Sequence, residues 1–334
     1  MRRPGGKRAL VMIFFVIATA LGTAVPALAQ SSDKVWRLGV LTLPTSASSP
    51  VFETFRSVVF PELATQGYVE GRNLAIEIRV GAPDKLPALA RELVATRPDA
   101  VIAVSSWGVR AVQEASQTTP IVGSFIGVDP IAAGFATSLA RPGSNITGIV
   151  MLAPELDGKR VDVLHQTVPS ARRIAALARS RQLEASNLAE MEKAAIQADL
   201  ELITFYAAAP EELPAAFVKM REAGVEALAI SSVPEFAGNA ATLAAEAIAL
   251  RLPTVCEWDW MAHEGCLLGY GPDLAELRKR TADYVVQIFR GASPGELPLE
   301  QPTHLKFTVN LKTAAALGLT VPPSVLARAD EVIE

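Results

Sequence analysis

Serine and arginine side chains stand where several short apolar runs of the sequence end. Ser105 and Ser106 follow one such run and precede a helical pattern, so their hydroxyls and the free N–H groups of the helix could bind a carboxylate. The same serines could instead cap the helix, and the two roles are compatible. Arg179 and Arg181 follow another run and could clamp an anion through two hydrogen bonds, or lie on the surface as solvated charges. These residue types favour anion binding at one or both places.

An aspartate and two tryptophans occupy similar positions. Asp129 could hold a ligand ammonium, but Asp129 followed by Pro130 also fits a helix N-cap with proline at the first helical position, and the sequence favours this second interpretation. Trp107 and Trp258 could hold a flat or apolar ligand between them, or pack within their own domains. The chain has four tryptophans in all, so two of them at strand ends point to an aromatic contact with a ligand.

Motifs of an enzyme or a metal site are missing from the sequence. The chain contains neither a G-x-S-x-G elbow nor a glycine-rich phosphate loop. Its three histidines, His165, His263 and His304, are far apart and have no partners at ligand spacing. Carboxylate pairs such as Glu155 with Asp157 are typical of a solvated surface. We therefore expect no catalytic activity, no metal and no cofactor.

The charge of the chain disfavours nucleic acid as a partner. The formal net charge is −4, and no block of basic residues follows the first few positions. A protein that tracks phosphates would normally carry one.

Cys256 and Cys266 are the two cysteines of the chain. They flank a short connection between two predicted strands, so in an oxidising compartment they could form one disulfide. The alternative is a pair of buried thiols that behave as small apolar side chains. Their spacing does not decide between the two.

The first 29 residues resemble a signal peptide. Arginines and a lysine at the start are followed by an apolar run over 9–25 and by small residues that end at Ala29. The run is shorter than the roughly 20 residues of a spanning helix. We expect Sec-type export, cleavage after Ala29 and a soluble mature protein in the periplasm.

Strand-like and helix-like patterns alternate along the rest of the chain, in two successive series. Such alternation predicts right-handed βαβ units and parallel sheets. The predicted strands of the first series are 36–43, 74–80, 99–104, 120–125 and 146–151, with helices at 52–66, 86–96, 107–115 and 131–139. The second series has strands at 173–178, 200–207, 225–231, 253–256 and 265–270, with helices at 156–167, 183–198, 211–223 and 236–250.

The tail follows a different pattern. A long helix over 273–289 is predicted to pack back on the first lobe, and a strand over 306–310 with a helix over 311–317 is predicted to complete the second. The expected domains are 35–152 with 273–291, and 153–270 with 303–334. A hinge is expected near 150–154, 270–272 and 298–303.

Ligands of open parallel sheets bind beyond the carboxyl ends of the strands. This rule selects residues at strand ends in both series, together with one at the expected hinge. Glu257 and Asp259 also follow a strand, and as a carboxylate pair they are interpreted as solvated surface. The candidate binding residues are Pro44, Thr45, Ser105, Ser106, Trp107, Asp129, Arg179, Ser180, Ser232, Pro234, Trp258 and Tyr270.

Several ordered phrases resemble a known family. They are GYVEGRN at 67–73, GVDP at 127–130, LARPGSNITG at 139–148, GYGPD at 269–273 and the ending over 310–331. Together they resemble ABC transporter substrate-binding proteins of the tryptophan/tyrosine type. The resemblance implies a type I periplasmic-binding fold with two flavodoxin-like lobes that close over a small ligand. It also implies a membrane permease and a cytoplasmic ATPase as partners, and we expect the protein itself to be a monomer.

Two loops depart from the family pattern. The sequence has RSRQ at 179–182 where the family usually carries an Asn-Pro turn, and 231–236 matches only in part. Both loops should face the ligand, so the amino-acid ligands of the family do not carry over directly. A ligand sensor that acts with a signalling partner would have the same fold and is the alternative.

Overall fold

The computed structural model describes residues 34–43, 55–151, 154–182 and 184–334. The first series of elements runs from β1 to β5. The strands are β1 (Trp36–Thr42), β2 (Leu74–Val80), β3 (Ala100–Val104), β4 (Ile121–Ile126) and β5 (Ile146–Val150). A π-helical turn (Phe55–Val59) leads into α1 (Phe60–Thr65), and α2 (Leu86–Ala95) and α3 (Ser105–Ala115) follow.

The second series repeats this arrangement. Its helices are α4 (Pro154–Thr167), α5 (Ala185–Gln197), α6 (Leu213–Glu222), α7 (Pro234–Ala237), α8 (Ala240–Ala249) and α9 (Asp259–His263). Its strands are β6 (Arg173–Ala178), β7 (Glu201–Tyr206), β8 (Ala227–Ile230), β9 (Thr254–Cys256) and β10 (Leu268–Pro272). The tail contains α10 (Leu274–Phe289), β11 (Leu299–Glu300), β12 (Leu305–Asn310), α11 (Leu311–Leu317), α12 (Pro323–Leu326) and β13 (Glu331–Ile333).

Two sheets organise these elements into two α/β lobes. The first sheet has the order β2-β1-β3-β4-β5-β11, and all its pairings are parallel. The second has the order β7-β6-β8-β9-β10-β12-β13, in which β10 and β12 are antiparallel. The first five strands of each lobe share the doubly wound order 2-1-3-4-5. The predicted pair of flavodoxin-like lobes with a type I periplasmic-binding fold is thus confirmed.

Central strands are buried on both faces because helices cover both sides of each sheet. Each residue of β3, sequence AVIAV, is buried, with α3 on one side and α10 on the other. The helix α10 also packs on β4 and β5, although it follows the second series in the chain. Within the described ranges, no helix has both the length and the apolar character that crossing a bilayer requires.

The chain passes between the two sheets three times. It does so after β5, between β10 and α10, and between β11 and β12. At the second passage the side chain of Asp273 caps α10 by accepting hydrogen bonds from the N–H groups of Ala275 and Glu276. Tyr270 pairs with Phe307 inside the second sheet, two residues before this passage begins at the end of β10.

The predicted helix over 131–139 is also wrong. The chain there makes a single turn, in which the N–H of Phe135 donates to the carbonyl of Pro130. Gly134 follows the turn with a φ of 70°, a left-handed conformation that ends a helix. Short elements such as β11, β13, α9 and α12 are absent from the prediction because two to five residues carry too little periodicity.

Candidate functional site

The carboxyl edges of the two sheets meet at a contact between two aromatic rings. Phe125 lies near the end of β4 in the first lobe, and Trp258 follows β9 in the second. Their ring centroids are 5.8 Å apart, with an interplanar angle of 75°. The edges at which doubly wound sheets bind ligands therefore face one another across the two lobes.

The two tryptophans of the candidate set have different surroundings. Trp258 is buried, with 7% of its surface exposed, and its neighbour is Phe125. Trp107 lies on the first turn of α3 with 54% of its surface exposed. Among the described ring contacts none joins Trp107 to Trp258, so the structure does not bring them together as two walls of one slot.

Arg278 of α10 lies beneath this contact in the first lobe. Its guanidinium carbon is 3.8 Å from the ring centroid of Phe55 and 4.5 Å from that of Phe125. Its Nη1 donates to Ser124 Oγ at 3.0 Å, and burial lowers the pKa of the guanidinium to about 9. Arg278 is not among the residues predicted from the sequence, although its position four residues after the buried Leu274 places it on the core-facing stripe of α10.

Ser105 and Ser106 make contacts within the first lobe. Ser105 Oγ accepts a hydrogen bond of 3.5 Å from the N–H of Gly108 and so closes the first turn of α3. Ser106 Oγ accepts one of 3.0 Å from the N–H of Gly127 in the loop after β4. Ser105 has a φ of 68°, a left-handed conformation that is rare for a residue with a side chain. Such conformations are found more often at binding sites than elsewhere.

Asp129 acts as a cap. Its Oδ1 accepts hydrogen bonds from the N–H groups of Ile131 at 2.8 Å and Ala132 at 3.2 Å. The capping interpretation that the sequence favours therefore matches the observed geometry, with a single turn in place of the expected helix.

Arg179 in the second lobe pairs with a carboxylate of the protein. Its Nη1 donates to Glu235 of α7, whereas the backbone N–H groups of Arg179 and Ser180 donate to Glu184 Oε1 at 2.8 and 3.2 Å. Arg181 is exposed and its Nε donates to the Tyr206 hydroxyl at 3.3 Å. The partner of Arg179 lies 56 residues away, so the sequence could not reveal this pair.

A fully buried ion pair lies at the same edge of the second sheet. Arg160 Nη1 donates to Asp157 Oδ1 at 2.6 Å, and both side chains have no exposed surface. The same nitrogen donates to Ser232 Oγ, and Arg160 Nε donates to the carbonyl oxygen of Tyr270 at 2.7 Å. The Nη2 of Arg160 is buried without a hydrogen-bond partner among the described atoms. The expectation that Asp157 is solvated surface is wrong, because α4 turns this residue toward the sheet.

Glu257 stands beside this pair, directly after β9. Its pKa is raised to about 7, first by burial and then by the charge of Asp157, whereas Arg160 and a hydrogen bond from Trp258 act to lower it. The neighbouring strand comes close because it carries Gly271, where a Cβ would lie 2.0 Å from the Glu257 carbonyl oxygen. The expectation that Glu257 and Asp259 are solvated surface is wrong, because both are half-buried and Asp259 is paired with Lys306 at 2.7 Å.

The two cysteines form a disulfide. Cys256, the last residue of β9, is bonded to Cys266, and both are completely buried. The bond closes the loop that carries Glu257 and Trp258, and so fixes both ends of the segment that supplies these side chains.

Three candidates of the predicted set remain. Pro44 and Thr45 lie outside the described residues. Pro234 is the first residue of α7.

Comparison with known proteins supports one family. A family model described as ABC transporter substrate binding protein matches residues 47–333. The tyrosine-binding protein of Clostridioides difficile (strain R20291) is 20% identical over 298 residues, covering 86% of this chain and 82% of that protein.

Solved structures show the same fold. A domain from Streptococcus pneumoniae in complex with L-Trp superimposes with a TM-score of 0.79 and 25% identity, covering 89% of this chain and 99% of that one. A conserved domain protein from Vibrio cholerae gives a TM-score of 0.80 at 24% identity, covering 90% of this chain and all of that one. The chain belongs to the ABC transporter substrate binding protein family.

Proposed function

We propose that this protein is the periplasmic ligand-capturing subunit of an ABC importer. It holds a small organic solute between its two lobes and delivers it to a membrane permease that is driven by a cytoplasmic ATPase. The observation that carries the proposal is the meeting of the two carboxyl edges at Phe125 and Trp258, which is where a ligand could contact both lobes at once. Binding that requires both lobes favours the closed form over the open one.

The proposed ligand is an amino acid or another aromatic or carboxylate-bearing compound. The relatives named for tyrosine and solved with L-Trp support this class. An aromatic ring would pack against Phe125 and Trp258, and a carboxylate would lie near Ser105 and Ser106 at the start of α3. Arg179 is a weaker candidate for the carboxylate, because it is already paired with Glu235.

The rest of the proposal concerns processing and organisation. Residues 1–29 would be removed on export, and the lobes would comprise 35–152 with 273–291 and 153–270 with 303–334. The protein would act as a monomer and would release its ligand unchanged, since capture needs no chemical step.

Calorimetric titration of the protein over 30–334 tests the proposal. The titrants are aromatic amino acids, aromatic acids, dicarboxylates and short peptides. We expect at least one class of ligand to bind with a dissociation constant in the micromolar range or lower and to be recovered chemically unchanged. Binding should also reduce the radius of gyration of the protein in solution scattering. Binding without any change in scattering would contradict closure, and chemical turnover of the ligand would contradict the binding-protein assignment.

A further inference from the structure

Glu257 lies where a ligand can reach it. It follows the central strand β9 at the edge that faces the first lobe, and the residue as a whole is half-buried. The next residue, Trp258, contacts Phe125 across the lobes. A ligand that places a ring against these two aromatic side chains would therefore bring its nearby polar groups to Glu257.

The charges around Glu257 do not balance. Asp157 and Arg160 neutralise each other at 2.6 Å, and the second oxygen of Asp157 accepts from Asn187. Lys306, another cation near this edge, is held by Asp259 at 2.7 Å and Glu331 at 3.1 Å. Among the described residues no cation lies within 4.0 Å of the Glu257 carboxylate, so the cluster carries one excess negative charge once Glu257 is ionised.

An unused donor accompanies this unbalanced carboxylate. Arg160 is fully buried, and its Nη2 has no acceptor among the described atoms. A Cβ built on Gly271 would lie 3.6 Å from that nitrogen and 2.0 Å from the Glu257 carbonyl oxygen, so the nitrogen and the backbone of Glu257 both lie next to Gly271. Buried polar atoms normally have partners, and an unfilled donor beside an unbalanced carboxylate is typical of a ligand site.

We propose that Glu257 is the specificity-determining residue through which the second lobe recognises a primary ammonium on the ligand. The inference rests on the proposed function, because it assumes that a solute binds between the lobes. An ammonium supplies the missing positive charge and donates hydrogen bonds to the carboxylate, and in a partly desolvated site such a bond is about twice as strong as one between neutral groups.

Other acidic residues at the facing edges are already engaged. Arg179 balances the charge of Glu235 through Oε1, although Oε2 of Glu235 is buried without a hydrogen-bond partner among the described atoms. Glu184 accepts hydrogen bonds from the N–H groups of Arg179 and Ser180. Asp129 caps the turn after β4. The ammonium is therefore assigned to Glu257 and not to these three.

Matched ligand pairs that differ only in the amine test the assignment. The probes are L-tryptophan with indole-3-propionate, L-tyrosine with 3-(4-hydroxyphenyl)propionate, and L-phenylalanine with 3-phenylpropionate, titrated calorimetrically at pH 8. Wild-type protein is expected to bind the amine of at least one pair ten-fold or more tighter than the acid. E257Q should lose at least ten-fold in affinity for the amine and less than three-fold for the acid.

Glu264 provides the control, since it is exposed and lies in the same loop. E264Q should keep the wild-type ratio between the affinity for the amine and the affinity for the acid. Thermal unfolding of E257Q should begin no earlier than that of the wild type, because glutamine removes a desolvated carboxylate, and this shows that lost binding is not lost folding.

The pH dependence gives a second readout. The charged groups that face Glu257 are Asp157 and Arg160 of α4, and the ammonium of the probe stays charged throughout. Because protonated Glu257 cannot attract a cation, wild-type affinity for the amine should fall between pH 8 and pH 5.5, whereas that of E257Q should stay level.

The outcomes separate this inference from the proposed function. If no solute of any class binds the wild type, the proposed function fails and the role of Glu257 fails with it. If solutes bind but the amine and the acid bind equally, or if E257Q keeps the wild-type ratio, the function stands and the role of Glu257 is overturned.

Discussion

Each lobe buries one arginine near its carboxyl edge, and the two are stabilised in different ways. Arg160 in the second lobe is held by the carboxylate of Asp157, the hydroxyl of Ser232 and the carbonyl of Tyr270. Arg278 in the first lobe stacks on the rings of Phe55 and Phe125. The same strand order thus accommodates a buried arginine held by polar groups in one lobe and a buried arginine stacked on aromatic rings in the other.

This difference shows how two lobes with the same topology can bind different chemical groups of one ligand. The first lobe presents aromatic rings, hydroxyls and backbone N–H groups, which fit flat or anionic parts of a ligand. The second lobe presents carboxylates beside a buried arginine, which fit cationic parts. Strand order positions the edges, and the residues that follow the strands decide what each edge can bind.

The largest expected effect is on the free energy of unfolding when each of the two buried arginines is replaced by methionine. R160M leaves the Asp157 carboxylate buried without its counter-charge, and we expect it to lower the free energy of unfolding by about 3–5 kcal/mol. R278M removes the stacking on Phe55 and Phe125 and the hydrogen bond to Ser124, and the loss of these contacts should cost about 2 kcal/mol. Urea unfolding followed by circular dichroism measures both values.

A double variant checks the cause. D157N/R160M should regain part of the stability lost in R160M, because the buried negative charge is removed as well. An R278M variant that loses as much stability as R160M would contradict the distinction between the lobes.

The free energy of unfolding of the ligand-free protein should depend on pH because Glu257 of the second lobe titrates. Glu257 loses its proton near pH 4.5 in the unfolded chain but near 7 in the folded protein, so the folded state binds more protons between these values. The free energy of unfolding therefore falls as pH rises through this window, by about 3 kcal/mol from this group. The difference between E257Q and wild type should grow toward pH 8 by that amount, whereas E264Q should follow the wild type at every pH.

The smallest effect is expected in the first lobe, at Asp129. D129A removes the acceptor for two N–H groups and should cost about 1 kcal/mol, and D129N should keep most of that stability because asparagine caps equally well. Neither change should alter affinity for the amine probes by more than two-fold. A ten-fold loss of affinity in D129N would move the ammonium site from the second lobe to the first.

Much of the fold was accessible from the sequence because its patterns are local. The strands β2 and β6 and the helix α11 have their predicted bounds, since apolar runs there end at turn residues or at charges. The turn at 130–134 was mistaken for a helix, because a cap at Asp129 predicts where a helix begins but not how far it continues.

The site was less accessible because its contacts are long-range. Trp258 was found from its place after a strand, yet its partner Phe125 lies more than a hundred residues earlier in the chain. Arg160 looked like an ordinary helix residue, and only its burial beside Ser232 and Tyr270 gives it a role. Pairing across lobes leaves no periodic trace in a single sequence.

The late position of α10 in the chain affects how the protein is made. The strands of the first sheet up to β5 are complete at Val150, but the helix that covers them ends at Phe289, and β11 adds its edge at Leu299–Glu300. At about 5–20 residues per second, a ribosome needs roughly seven to thirty seconds to pass from β5 to the end of α10. During that interval the strands β3, β4 and β5 lack the helix that packs on them in the finished protein, so the first core is completed only late in synthesis.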